Sequence, residues 1–126
     1  MPRSILDESR IHPAVRERIA THEAGIVREV AAAVAVNDIV VVGMGMNPFP
    51  QKARRALDAR TLPYKYLEYG NYLSQWRPRN ALKLWTGWPT LPMIFVKGVL
   101  VGGANDLQKL IASGELDRML AAPRPG

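Results

Sequence analysis

Apolar residues recur along this chain with two spacings, one typical of helices and one typical of strands. They lie three or four positions apart over residues 23–35, and again on one face of the segment from residue 48 to about residue 60. Residues 39–42 form a continuous β-branched run, which is typical of a strand covered on both faces. Residues 64–68 alternate like a second strand. This half of the chain therefore predicts the order helix, strand, helix, strand.

The other half predicts one more helix, a hairpin and two closing helices. Pro78 precedes the helix, Gly98 lies in the turn of the hairpin, and Gly114 separates the last two helices. The predicted elements are a helix at 79–85, strands at 93–96 and 99–101, and helices at 106–112 and 115–120. Helices and strands in this order predict an α/β fold in which a central mixed sheet is covered by helices on both faces.

The two ends of the chain fall outside this pattern. Residues 1–22 form an N-terminal extension, with a short helix predicted from Pro13 to about Ala20 because proline suits the first helical position. Residues 121–126 are rich in Ala, Pro and Gly and predict a flexible tail. We therefore expect one domain at 23–120, and a chain of 126 residues is long enough to bury one core without disulfides or metals.

Charge and hydropathy limit the expected location and partners of the protein. No apolar run approaches the length of a transmembrane helix, and Asp7 and Glu8 lie where a secretory signal would be apolar, so we expect a cytoplasmic protein without a membrane partner. The net charge is +6, and the segment from Asn47 to Lys97 holds nine basic and two acidic residues. This cationic segment favours an anionic ligand or partner.

Nucleic acid is not the expected partner, although the chain is basic. The sequence contains no recognition motif, aromatic stacking repeat or basic tail. Trp85 and Trp88 lie in predicted core-facing turns, so we expect them to pack rather than to stack on a base.

The chain contains no cysteine, and this absence limits its chemistry. The thiolate is the nucleophile of disulfide exchange and a ligand of zinc and iron–sulfur clusters, so none of these functions can come from this chain alone. His12 and His22 have no carboxylates arranged with them for a metal, and Ser74 and Ser113 have no base nearby. The sequence therefore predicts no metal site and no catalytic residue.

A set of short motifs from residue 79 onwards resembles the glutaredoxin family, and its monothiol branch most. The motifs are Arg79, Lys83 and Thr86, then Trp88-Pro89-Thr90-Leu91-Pro92, Val96-Lys97-Gly98, Gly102-Gly103, Asn105-Asp106 and Ser113-Gly114-Glu115-Leu116. The resemblance covers residues 23–120. It implies a thioredoxin-like (glutaredoxin) fold, with a central four-stranded mixed sheet flanked by helices and an extra helical segment at the N-terminus.

The resemblance also implies a site for glutathione, as a ligand rather than a required cofactor. The proline that matches Pro92 is cis in the family, and the backbone of the preceding residue, here Leu91, pairs with the cysteinyl part of glutathione like an added strand. Arg79 matches a basic residue that meets the glycyl carboxylate. The helix N-terminus that holds the γ-glutamyl end matches Gly103, Asn105 and Asp106.

The sequence departs from the family pattern at the thiol itself. Asn47 stands where the nucleophilic cysteine belongs, Pro50 where a second cysteine or serine belongs, and Met44 where the family has a lysine that supports the thiolate. Pro48 and Pro50 also lack the backbone N–H groups that a helix start offers to an anion. The preferred interpretation of Asn47 is an N-cap of the following helix, and Asn47 and Phe49 would shape the thiol end of the ligand.

Three methionines lie near the position of the missing thiol in this resemblance, and each has an adaptable apolar side chain. We expect ordinary core packing for Met93. If Met44 and Met46 are exposed there, the cleft becomes an apolar groove suited to a peptide segment or a bulky thioether, and selectivity moves away from free glutathione.

Three functions of different classes follow from these residues. The first is a redox-inactive glutaredoxin-like protein that binds glutathione or an extended thiol or peptide ligand without disulfide reductase turnover. The second is a protein-docking or regulatory module that uses residues 1–22 and the basic face. The third is a transferase-like domain in which Asn47 activates bound glutathione, and it ranks last because a neutral amide cannot act as a general base. The oligomeric state stays open.

Overall fold

A four-stranded sheet lies between two layers of helices in the computed structural model, which describes residues 3–71, 74 and 76–124. In chain order the elements are α1 (Pro13–Thr21), α2 (Ala24–Val36), β1 (Ile39–Gly43), α3 (Pro48–Ala59), β2 (Lys65–Glu68), α4 (Trp76–Thr86), β3 (Met93–Val96), β4 (Val99–Gly102), α5 (Ala104–Ser113) and α6 (Glu115–Ala121). The predicted α/β order is confirmed. No helix in this part of the chain is long and apolar enough to cross a membrane.

The sheet is mixed, in the order β2-β1-β3-β4, as predicted. Strand β1 runs parallel to β2, with Val41 opposite Tyr66. It runs antiparallel to β3, with Val41 opposite Ile94, and β3 and β4 form the predicted hairpin. Both long sides of β1 are therefore paired, which makes it the central strand from which the site is built.

Strand β1 is buried along its whole length and separates two hydrophobic clusters. The cluster on the α3 and α5 side of the sheet includes Ile39, Val41, Leu57 and Leu107. The cluster on the α2 and α4 side includes Val40, Val42, Val30 and Leu82. Successive residues of a strand point to opposite faces, so the continuous apolar run serves both clusters at once.

Helix α3 begins just after β1, and the two elements are in close contact. The Oδ1 atom of Asn47 accepts a hydrogen bond from the backbone N–H of Phe49 at 3.0 Å, and Pro48 takes the first helical position. Pro50 is buried against Gly43, where an added Cβ would lie 2.7 Å from the Cβ of Pro50. Position 43 therefore has no room for a side chain and requires glycine.

Two helices begin earlier than the sequence pattern predicted. Helix α4 begins at Trp76, so that Pro78 lies inside its first turn instead of preceding it. A first turn accepts proline because its N–H groups have no partner within the helix. Helix α5 begins at Ala104, directly after Gly103.

The N-terminal extension forms a groove with α2 and α4. Helix α1 buries none of its residues, and its apolar side chains Val15 and Ile19 line a groove of about 720 Å³ together with Leu84 and Trp85 of α4. The guanidinium of Arg3 donates from Nη1 to the carbonyl oxygen of Thr86 at 2.9 Å, which ties the start of the extension to the end of α4.

Trp85 is exposed in this groove, which corrects the expectation that it packs in a core-facing turn. The buried positions on this side of α4 are taken by Ala81 and Leu82, so the indole of Trp85 lies at the edge of the cluster. It still contacts the ring of Phe95, with 6.2 Å between the ring centroids.

One residue of the predicted flexible tail is held by hydrogen bonds. The Nη1 and Nη2 atoms of Arg124 donate to the carbonyl oxygens of Val34 at 3.1 Å and Asn37 at 2.9 Å. These carbonyls lie at the C-terminal end of α2, where unpaired acceptors and the helix dipole both favour a cation. Pro125 and Gly126 lie outside the described residues.

We expect Gly43→Ala to destabilise the protein by about 1–3 kcal/mol, because the new methyl group overpacks the contact between β1 and Pro50. Gly25→Ala in α2 is the matched control, since an added Cβ there meets nothing within 4 Å. That control should stabilise by about 0.5–1 kcal/mol, the usual gain for alanine over glycine in a helix. Urea unfolding measures both. A Gly43→Ala variant as stable as the wild type would contradict the close contact.

Candidate functional site

A cleft of about 450 Å³ lies between the first turn of α3, one side of α4, the loop before β3 and the first turn of α5. Its volume falls in the range of about 300–1,000 Å³ that is usual for small-molecule sites. Seven of the eight residues predicted from the sequence line it: Asn47, Phe49, Leu91, Pro92, Gly103, Asn105 and Asp106. The fold thus brings three separate motifs of the chain to one site.

The Asn47 side chain joins two walls of the cleft. Its Oδ1 accepts from the N–H of Phe49, as predicted for an N-cap, and its Nδ2 donates to the carbonyl oxygen of Leu91 at 3.3 Å. The Leu91–Pro92 peptide bond is cis. The side chain of Leu91 is buried in the α2 and α4 cluster, while the residue also borders the cleft. Asn47 therefore ties the start of α3 to the loop before β3.

The N-terminal end of α5 forms one end of the cleft. The N–H of Gly103 donates to Oδ2 of Asp106 at 2.9 Å, and this bond closes the first turn of the helix. Gly102 has a φ of 111°, and an added Cβ would lie 2.6 Å from the same carboxylate oxygen. Asn105 is exposed and accepts at Oδ1 from the Nζ of Lys52 at 3.3 Å, so a cation lies at this rim.

Arg79 does not line the cleft, which corrects its predicted role as a direct ligand of a carboxylate. Its side chain is only 6% exposed. Its Nη1 donates to the carbonyl oxygens of Tyr69, at 3.0 Å, and Ser74. These carbonyls lie outside regular helix and strand and need donors, and a guanidinium can supply several at once.

Lys83 is the basic residue of α4 that lines the cleft. It follows Arg79 by four positions, about one helical turn. The sequence motif contains Lys83 but does not indicate a role for it. The available signal was the motif spacing alone, which does not tell which of two basic residues on a helix faces a cleft.

Thr86 connects the end of α4 to the loop that carries Trp88. Its hydroxyl donates to the carbonyl oxygen of Leu82 at 2.9 Å and accepts from the backbone N–H of Trp88 at 3.1 Å. Trp88 packs against the α2 and α4 cluster, as expected, and lines the cleft. Its indole Nε1 is buried without an acceptor in the described part of the chain.

The end of the cleft at Asn47 is apolar. Met44 and Phe49 both line it, and Met44 is only 6% exposed whereas Phe49 is 48% exposed. Met46 is 68% exposed next to Asn47 but is not part of the cleft wall, and Met93 is fully buried, as expected. Pro50 is buried below, against Gly43.

Within the described residues, the charged side chains of the cleft wall are Lys83 of α4 and Asp106 of α5. Tyr66 lies near Gly43 and Pro50. Burial, followed by the hydrogen bond to Glu68, raises the pKa of Tyr66 to about 12, so its hydroxyl is neutral at physiological pH. No group of three or more His, Asp or Glu side chains suited to a metal occurs among the residues that the structure describes.

A four-stranded mixed sheet, with a cis-proline loop facing the first turn of a helix, defines this chain as a protein of the thioredoxin-like fold. The crystal structure of a buckwheat glutaredoxin–glutathione complex superimposes with a TM-score of 0.68 at 20% identity, covering 79% of this chain and 91% of that one.

Sequence comparison gives the family. The glutaredoxin family model matches residues 39–101. A glutaredoxin-like protein of Dictyostelium discoideum is 40% identical over 98 residues, which span 78% of this chain and 80% of that protein. Monothiol glutaredoxin-4 of Schizosaccharomyces pombe is 39% identical over 56 residues, which span 43% of this chain and 23% of that protein. The chain belongs to the glutaredoxin family, as the motifs predicted, and it contains no cysteine.

We expect a cysteine introduced by Asn47→Cys to have a thiol pKa above about 5, because strongly lowered values need donors or a cation next to the sulfur. Pro48 and Pro50 offer no N–H, and Met44 offers no charge. The double variant Asn47→Cys/Met44→Lys should show a lower pKa than the single variant, since it restores a cation. Thiolate absorbance against pH measures both values. A pKa below about 5 in the single variant would contradict this account of the site.

Proposed function

We propose that the cleft binds glutathione, or an extended thiol or peptide ligand similar to it, and that the protein acts by binding without disulfide reductase turnover. The observation that carries the proposal is the set of polar groups that the cleft brings together. Lys83 of α4, Leu91 before the cis-proline and the first turn of α5 all line it. Glutathione has a carboxylate at each end and a peptide backbone between them, and this set of groups suits it.

At the glycyl end, the proposal assigns the carboxylate to Lys83. An ammonium group on a flexible side chain can follow a carboxylate without a fixed geometry. Arg79 supports the site indirectly, because its hydrogen bonds to Tyr69 and Ser74 hold the chain segment that leads into α4.

At the γ-glutamyl end, the first turn of α5 suits a carboxylate. The first amides of a helix have no partner within it, and the helix dipole favours a negative charge there. Asp106 suits the ammonium group of the same residue, since only one of its oxygens is used by the Gly103 N–H. Lys52 adds a positive charge at the rim, beside Asn105.

At the cysteinyl part, the carbonyl of Leu91 can still accept a hydrogen bond from a ligand. A carbonyl oxygen has two lone pairs, and the bond from Asn47 uses one of them. The buckwheat glutaredoxin, which has the same fold, was crystallised as a complex with glutathione, and this supports the proposal at the level of the fold.

The absence of cysteine supports binding without turnover. Disulfide exchange needs an attacking thiolate, and an amide at position 47 cannot replace it. The same amide is neutral and cannot take a proton as a general base, which argues against the transferase-like function.

One observation favours a second function, the docking of a partner protein. Helix α1 has nine residues and buries none, and short helices are marginal in water without packing. The groove that it forms with α2 and α4 has exposed apolar side chains, and its charged lining residues are Arg18 and Arg28. An acidic, partly apolar segment would complement it. Leu84 lines this groove, whereas its neighbour Lys83 lines the cleft. The two sites therefore lie on different sides of α4.

We expect calorimetric titration with reduced glutathione to give saturable binding, and Lys83→Gln to weaken it about fivefold, the effect of losing one partly exposed ion pair of about 1 kcal/mol. Lys109→Gln is the matched control, because Lys109 is exposed on α5 and does not line the cleft. No binding up to about 10 mM, or equal losses in the two variants, would contradict the assignment. So would disulfide reductase activity of the wild type.

A further inference from the structure

We propose that the cleft selects glutathione whose sulfur carries an apolar substituent, that is, a glutathione thioether, over free glutathione. This inference rests on the proposed function, because it requires the glutathione frame to bind in the cleft. It concerns the Asn47 end, where the ligand sulfur would lie because Asn47 holds the position of the family cysteine. Binding alone is proposed, and no bond is formed or broken.

The chain around Asn47, from Met44 to Pro50, carries no positive charge. Met44 and Phe49 line the cleft, and Met44 is 6% exposed. The charged groups of the lining, Lys83 and Asp106, serve the two polar ends of the ligand in the proposed function. A thiolate placed against buried apolar atoms loses hydration without a compensating partner. The site therefore favours an uncharged sulfur.

The start of α3 has no free backbone donor for an anion in its first three positions. Pro48 and Pro50 have no backbone N–H. The N–H between them, that of Phe49, donates to Oδ1 of Asn47 at 3.0 Å. The helix end that ordinarily attracts a negative charge is closed here by the protein's own side chain.

Apolar surface is available at the Asn47 end of the cleft. Phe49 lines the cleft and is 48% exposed. An alkyl chain on the ligand sulfur can cover this side chain. Burial of one methylene group is worth about fourfold in affinity when it is complete. The second half of a glutathione disulfide is charged and would gain nothing on this surface, so we assign the substituent to the thioether class.

The test uses the full chain and calorimetric titration with reduced glutathione, S-methylglutathione, S-butylglutathione, S-hexylglutathione and oxidised glutathione. Affinity should rise with alkyl length, and S-hexylglutathione should bind at least about tenfold more tightly than reduced glutathione. Oxidised glutathione should show no such gain. Equal affinities, or a fall with alkyl length, would overturn the inference.

A second readout needs no variant. If the site rejects the thiolate, the affinity for reduced glutathione should fall about tenfold relative to S-methylglutathione when the pH rises one unit above the thiol pKa, which is near 8.5 for a model cysteine. Lys83 of α4, Asp106 of α5 and Lys52 of α3 face both ligands alike and cancel in this ratio, and Tyr66 stays neutral over this range. A constant or rising ratio would overturn the inference.

Two substitutions locate the effect. Phe49→Ser should lower the ratio of the S-hexylglutathione affinity to the reduced glutathione affinity by about fivefold, while Leu84→Ser, an exposed apolar position in the other groove, should leave that ratio unchanged. Equal ratios in both variants would overturn the assignment to Phe49.

If none of the five ligands binds the wild type, the proposed function fails. If reduced glutathione binds without preference for the alkyl series, this inference alone fails.

Discussion

Strand β1 is the constraint on which the cleft depends. It is buried along its whole length, hydrogen-bonded to β2 on one side and β3 on the other, and it supplies side chains to both hydrophobic clusters. Its end at Gly43 is therefore fixed, and the missing side chain there lets Pro50 pack directly against it. Because α3 is held this closely, Met44 and Asn47 must lie at the wall of the cleft, opposite the loop before β3.

The hydrogen bond from Asn47 to Leu91 gives this site its chemical character. It connects the start of α3 to the cis-proline loop through a neutral amide, at the position where the resemblance to the family predicts a thiol. The proline on each side of Phe49 and the methionine at position 44 remove the other means of holding a negative sulfur. These residues together underlie the proposal that the cleft binds a ligand whose sulfur is uncharged.

The parts of the fold with strong local patterns were predictable from the sequence. The β-branched run predicted β1, and Asn47 followed by proline predicted the cap of α3. Both features depend on residues that are neighbours in the sequence. The direction of Arg79 was not predictable, because motif spacing does not show that it turns to the carbonyls of Tyr69 and Ser74 while Lys83 faces the cleft. The exposure of Trp85 was not predictable either, because local patterns do not show that Ala81 and Leu82 take the buried positions of α4 while Trp85 borders the groove beside α1.

Backbone amide chemical shifts during a titration with reduced glutathione test the central claim most directly. The account predicts saturable changes concentrated at Leu91, Asn105 and Asp106, the middle and the α5 end of the cleft, with no changes at Ile19 in the α1 groove. Shifts that stay flat up to about 10 mM, or that occur only in the α1 groove, would contradict it.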